Sequence, residues 1–427
     1  MNIEEYIKEF KQKRQGFSFA FLAERVPLSE DAPNRFNKAK SINPDDVLIL
    51  GLAGKGYDSA DNIRGYNGYI KRIDEIKLEP DLKEKNICSV VAVCNFGKYH
   101  NPDAARELHF WEHIAKEKYN DRINLVSDIQ KQELLNPAYI KDIFDEVILS
   151  RISTNDGKSR LPMDKAMYRI RRLNIVAHCH GGYVAFMLEK MMQNKMMQLG
   201  YSKAEQKQIQ KQLFVLDYAP DSQWYKQSSR CVVVESAKDD NNKYQTTFKE
   251  WLQFRRKKFG FLFSSERLLM CTQIDKYGVE GNPERPLILI PSDDFFEERH
   301  KDMLKAQAED NQEPQKLNEM GEHDFLGFKP FANMSKAAIK MQKLAKNILV
   351  SALLNSIEQK QGEKFKPLPN TSAMAVRGAE DKADLAKAKL INSILIKRFA
   401  FENLFPRKKK QLNAFMYYHQ TNRVRLD

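Results

Sequence analysis

"RRLNIVAHCHGGYVAFMLEKMM" spans residues 171–192. A basic pair opens it, a short apolar run comes next, and His-Cys-His-Gly-Gly leads into apolar residues spaced three and four apart. The run LNIVAH (173–178) has the length and composition of a strand buried on both faces. The residues after Gly182 have helical periodicity and stop at Gly200. The segment therefore reads as a strand that turns at once into a helix. Three readings compete for a cysteine between two histidines at such a turn: a nucleophile, a set of metal ligands, or a tight turn that happens to contain them.

The same alternation recurs along the chain. VLILGLAGKGYD (47–58) and ICSVVAVCNFG (87–97) are apolar runs closing on glycines, as buried parallel strands do. DAARELHFWEHIAKEKY (103–119) is expected to be a helix, and EVILSRI (146–152) is apolar but of no decided type. SKAEQKQIQKQ (202–212) reads as a helix. Strand patterns return at LFVLDYAP (213–220), CVVVESA (231–237), RLLMCTQI (267–274) and PLILIPS (286–292), with a helical piece at 244–259. Strands alternating with helices predict an α/β fold on a mostly parallel sheet flanked by helices. Residues 1–45 look helical and then loop-like, so the expected division is an N-terminal segment 1–45, a main domain 46–331 and a helical C-terminal extension 332–427. The extension holds a strong helix pattern at 335–360, a linker at 361–381, and a second amphipathic pattern over 381–405 followed by the basic PRKKK.

Composition narrows the partners. The chain has 427 residues and a net charge of +13, which favours an acidic partner or an anionic surface without choosing one. A zinc finger, an aromatic RNP-like strand and a basic zipper are all missing from the sequence, so nucleic acid is not an expected partner. No run approaches the roughly 18 apolar residues of a membrane span. The charged start MNIEEYIKEFKQKRQ lacks the apolar centre of a signal peptide. A cytoplasmic protein is expected, with export that leaves the N-terminus intact still open. The five cysteines are Cys88, Cys94, Cys179, Cys231 and Cys271. Their odd number and the lack of CxxC argue against a disulfide framework or zinc ribbon. All but Cys179 are expected to be small buried hydrophobes.

Ala177-His178-Cys179-His180-Gly181 fits a small-x-nucleophile-x-Gly elbow in its required strand-to-helix context. The turn is so sharp that the residues two before and two after the nucleophile must be small. Helix N–H groups and the helix dipole then face the sulfur and stabilise negative charge there. The N–H of His180 is one candidate oxyanion donor, and the backbone of the loop at Gly54 is the other. As metal ligands, His178, Cys179 and His180 are too close together to surround one ion, and His109 with His113 lack the glutamate of HExxH. No metal or cofactor is expected. A cysteine nucleophile needs a base, and the base an orienting acid. Of the later histidines, His300 lies in a charged stretch and His419 in the basic tail. His323, in the loop NEMGEHDFLGF, is the preferred base. For the acid, Glu235, Asp239 and Asp240 follow or end a strand, and Asp275 and Asp217 compete with them.

These residues resemble the α/β-hydrolase superfamily in its cysteine-nucleophile variant. Closer still is a group of bacterial hydrolase-like proteins, many from pathogens, whose pattern joins RRLNIVAHCHGG, LFVLDYAPD, VVVESAKDD and GEHDFLG. The resemblance covers about residues 45–330 and implies Cys179 as nucleophile, Asp239 as acid and His323 as base. It departs in Ala177, where glycine is usual, and in Cys179, where serine is usual. It implies hydrolysis or acyl transfer on an ester, thioester or activated amide carried by a small molecule, a lipid or a protein. The rival expectation is a binding protein that keeps the fold without the chemistry, as an effector would. In either case the helix over 381–405 with its basic end has two readings: it docks on an anionic membrane or a partner, or it packs on the core with its basic end solvated.

Overall fold

The computed structural model describes residues 3–25, 36–54, 63–102, 104, 105, 108, 109, 127–154, 156–220, 229–236, 269–271, 287–290 and 336–366. Two compact units emerge: Met1–Asp217 with Trp224–Arg230 and Val350–Leu368, and Tyr218–Gln223 with Cys231–Leu349 and Pro369–Asp427. The fold is α/β, with a mostly parallel sheet and flanking helices.

In the first unit, helix α1 (Ile3–Arg14) precedes strands β1 (Phe19–Arg25), β2 (Phe36–Lys38) and β3 (Val47–Leu52). Helix α2 (Ile63–Asp74) and β4 (Ile87–Asn95) come after them. Helices α3 (Asp128–Leu135), α4 (Ala138–Ile143), α5 (Leu149–Ile152) and α6 (Met163–Arg171) come next, then β5 (Leu173–His178), α7 (Gly181–Gln198), α8 (Lys203–Gln210) and β6 (Phe214–Tyr218). The strand order is β2-β1-β4-β3-β5-β6. Strand β3 runs parallel to both β4 and β5, pairing Leu50 with Val90 on one side and with Ile175 on the other. All six residues of β3 and of β5 are buried, as in parallel strands covered on both faces. The antiparallel strand β1 sets Phe21 against Val93 at one flank.

The expectation of helix then loop over 1–45 holds for α1 and fails for β1 and β2, which are strands of the sheet. FAFLAER is rich in helix formers, and pairing with β4 overrides that preference. EVILSRI is helical: a π-turn at Phe144–Ile148 runs into α5. The expected helix after residue 102 is present at residues 104, 105, 108 and 109, and His113 lies outside the described residues.

Side chains explain several local choices. Ser202 and Glu205 form a reciprocal capping box that starts α8. Arg151 is fully buried, and its guanidinium donates to the carbonyls of Val147, Pro44, Arg169 and Asp46. Burial lowers its pKa to about 9, still high enough to keep it charged at neutral pH. Those bonds tie the turn before β3 to α5 and α6. Arg169 adds a two-pronged ion pair to Asp45 at 2.9 and 3.1 Å.

In the second unit, β7 (Arg230–Ser236) pairs parallel with β9 (Leu287–Ile290), and β8 (Leu269–Cys271) is antiparallel to β9. Helix α9 (Lys336–Glu358) matches the strong helical pattern near the C-terminus. Its last turns belong to the first unit and are knitted to the start of β5. Arg171 donates to Asn355 Oδ1 at 2.5 Å and to the Lys366 carbonyl at 2.9 Å, and the Asn174 amide donates to Ser356 Oγ at 3.3 Å. The basic pair before the elbow strand thus holds the chain's own C-terminal segment: Arg172 donates to the Gln359 carbonyl.

Cys94 and Cys231 are buried as expected, whereas Cys88 is only half-buried. Burial, with the Asp46 carboxylate 4.0 Å away, pushes the Cys88 thiol up. The Cys271 side chain, the 244–259 helix pattern, and residues 381–405 with PRKKK lie outside the described residues. Among the described residues no helix is long and apolar enough to cross a membrane.

Candidate active site

Strand order reverses at β3. The chain leaves β3 for β4 on one side and later returns to β5 on the other. In open parallel sheets such a switch point opens a crevice beyond the carboxyl ends of the two diverging strands. Gly54 follows β3 and Cys179 follows β5, so both stand at that crevice.

The turn after β5 is the tight elbow anticipated from LNIVAHCHGG. Cys179 has φ +52°, a left-handed conformation that non-glycine residues rarely adopt. His180, the N-cap of α7, is already helical at φ −60° and ψ −20°. The chain passes from strand to helix in one residue, and that residue is the cysteine. The Gly182 N–H closes the turn on the Cys179 carbonyl at 3.1 Å. The N–H groups of Tyr183 and Val184 likewise bond the His180 carbonyl, and the turn lies at the positive end of the helix dipole. Cys179 is half-buried.

Three small residues make the turn possible. Ala177 is fully buried at the end of β5. A Cβ at Gly181 would lie 2.2 Å from the Leu52 carbonyl oxygen, an overlap with backbone that no rotamer relieves. A Cβ at Gly54 would lie 2.7 Å from the Cys179 Cβ, 3.2 Å from His178 Nδ1 and 3.4 Å from Cys179 Sγ. The Gly54 backbone and the sulfur are therefore neighbours.

The two histidines beside the cysteine go inward. His178 is 2 % exposed and His180 is fully buried. The His180 ring stacks on Tyr183, one helical turn later, at 5.1 Å and meets Phe96 edge-on at 5.7 Å. The His180 side chain therefore packs between aromatic rings. Among the described residues no group of three or more His, Cys, Asp or Glu side chains is placed to hold a metal ion.

Two nearby residues were not legible in the sequence. The Tyr69 hydroxyl, on α2, lies 3.1 Å from the Leu52 carbonyl and 3.2 Å from the Val176 carbonyl, bridging β3 and β5 just below the elbow. His100, just past β4, is buried with Nδ1 2.7 Å from the Glu133 carbonyl. A lone tyrosine and a lone histidine carry no spacing signal, and only the register of the sheet gives them meaning. Asp217, one of the competing acids, is fully buried on β6 and lies against α7: a Cβ at Gly182 would come within 2.8 Å of its carboxylate. Glu235 is within β7, though its side chain lies outside the described residues. Asp239, Asp240, Asp275, His300, His323 and His419 also lie outside them. The sequence matches no protein-family model and no curated protein.

Proposed function

We propose that the chain is a cysteine-dependent hydrolase or acyltransferase with an α/β-hydrolase-like fold. The observation that carries this reading is the left-handed, half-buried Cys179 at the switch point of the sheet, with a helix N-terminus behind it and the Gly54 backbone beside it. In this reading the Cys179 sulfur attacks the carbonyl carbon of an ester, thioester or activated amide. His323 takes the thiol proton as the C–S bond forms, then delivers it to the leaving group as the tetrahedral intermediate collapses. Asp239 fixes the imidazole tautomer, with Asp240 and Asp275 as the other acids able to serve. The N–H of His180 and the backbone at Gly54 bind the oxyanion. Water or a second nucleophile then releases the acyl group from sulfur and regenerates the thiol.

Turnover of a panel of thioesters and aryl esters tests this. Cys179→Ala and His323→Ala should each lose at least about a hundredfold in kcat/KM while keeping the wild-type fold. Asp239→Asn, Asp240→Asn and Asp275→Asn, compared one by one, should single out one acid. Wild-type turnover by Cys179→Ala rejects the mechanism. If no panel member is turned over by the wild-type chain and Cys179 takes up no acyl group, the fold serves binding instead.

A further inference from the structure

We infer that the buried aromatic cluster around His100, which takes in His109 and His180, is an acid-sensitive latch that holds the elbow in place, and that protonating His100 releases the elbow before the sheet unfolds. The latch rests on the geometry of the turn and not on catalysis.

His180 comes directly after Cys179 and caps α7. A change in the packing of its ring therefore bears directly on the Cys179–His180 turn. The ring is held between Tyr183 and Phe96. Phe96, just past β4, also meets His100 at 5.7 Å and Tyr139 of α4 at 5.1 Å. His100 and Tyr139 pack edge to face at 5.2 Å, and His109 meets Tyr183 at 5.9 Å. Two stretches distant in the chain, one with His100 and His109 and the other with His180, thus send their imidazoles into one aromatic cluster. Exposure is 5 % for His100, 4 % for His109 and zero for His180.

A neutral imidazole has one donor and one acceptor. The Glu133 carbonyl can only accept, so it fixes the His100 proton on Nδ1 and leaves Nε2 bare. Among the described residues that Nε2 is buried without a hydrogen-bond partner. Protonation would put a charge and a new N–H there with no acceptor among the described residues to receive them. The surrounding groups offer little relief. The Glu133 carboxylate on α3 accepts from Ser18 N and Oγ, and only its carbonyl faces His100. Tyr139 and Tyr183 are neutral in acid. Asp142 on α4 pairs with Arg14, Glu189 on α7 accepts from Ser229, and Asp217 on β6 lies against Gly182. His178, on β5, is a further imidazole near the turn.

Burial pushes His100 down to about 3, and the neighbouring imidazoles His180 and His109 push the same way. The folded-state value is thus depressed below the ordinary 6.5. The unfolded or opened chain binds the extra proton, so the latch is fully closed above that ordinary value and weakens as pH falls below it.

The full chain is followed from pH 7.5 downward by near-UV and far-UV circular dichroism, and by the rate at which 2,2′-dipyridyl disulfide, a reagent that stays thiol-reactive in acid, modifies Cys179. The near-UV signal and the Cys179 rate should change together and reversibly while the far-UV signal holds. His100→Asn keeps a donor for the Glu133 carbonyl but cannot titrate. It should move that midpoint down by roughly one pH unit, tenfold in proton concentration. An unmoved midpoint in a folded His100→Asn, or near-UV and far-UV signals that collapse together in the wild type, overturns the latch. Should the variant not fold, imidazole NMR of the wild type decides. A His100 resonance that stays neutral down to the near-UV midpoint supports the latch, and one that titrates near the free value with an unchanged near-UV signal refutes it.

Discussion

Gly181 and Leu52 meet backbone to backbone: a Cβ at Gly181 would lie 2.2 Å from the Leu52 carbonyl oxygen and 2.8 Å from its carbonyl carbon. The helix after the cysteine can begin only because its first residue has no side chain. Gly181→Ala must push α7 off β3, at a cost toward the upper end of the roughly 1–3 kcal/mol typical of overpacking. Urea unfolding measures it. Wild-type stability in this variant would mean that the helix does not approach the strand so closely.

Gly54 tests the crevice rather than the helix. A Cβ there would lie only 2.7 Å from the Cys179 Cβ. Gly54→Ala should cost less in stability than Gly181→Ala, because the cysteine side chain can shift where a strand carbonyl cannot. Its larger effect should be on Cys179, whose alkylation rate by iodoacetamide is expected to change several-fold. An unchanged rate would show that the loop and the sulfur are not in contact.

Tyr69 ties the two strands that carry the site. Removing its hydroxyl leaves the Leu52 and Val176 carbonyls without that donor. Tyr69→Phe should cost about 1 kcal/mol, the usual net contribution of one buried hydrogen bond. Hydrogen exchange should report the loosening at the ends of β3 and β5 and not in β1. Uniform loss of protection would argue for a merely global effect.

The Arg169–Asp45 pair supplies a pH dependence with a definite sign. The hydrogen bond from Arg169 holds the Asp45 carboxyl below its ordinary value, and burial opposes it in part. The folded-state pKa is depressed, so the stabilisation is present above the ordinary carboxylate range and is lost as pH falls through the folded value. Asp45→Asn should cost about 1 kcal/mol at pH 7, the upper range for a partly exposed pair with good geometry. The difference from wild type should shrink toward zero in strong acid. A difference that persists there would assign it to the amide and not to the charge.

How much of the fold and site could be read in the sequence differed from residue to residue. The strand–elbow–helix was legible in LNIVAHCHGG because each demand of the turn has a residue signature: a continuous apolar strand, Ala177 and Gly181 around the cysteine, and helical spacing afterward. Strand β1 was not. FAFLAER prefers helix locally and becomes a strand through its ladder to β4, from Phe19 with Asn95 to Ala23 with Val91. Strand β2 has three residues, too few for any period to show. Tyr69 acts through Val176, 107 positions away, and no local pattern encodes that distance. The inward turn of His180 was open in the sequence, because a histidine beside a nucleophile serves equally well for chemistry or for packing. Its side chain packs.

The most direct measurement is intact-mass and peptide mapping after a brief reaction with an activated thioester at neutral pH. A single acyl adduct on Cys179 should form, at least about a hundredfold faster than on the half-buried Cys88, and should be absent in Cys179→Ala. Equal acylation of Cys88 and Cys179, or an adduct that survives Cys179→Ala, would contradict the assignment of this sulfur as the nucleophile.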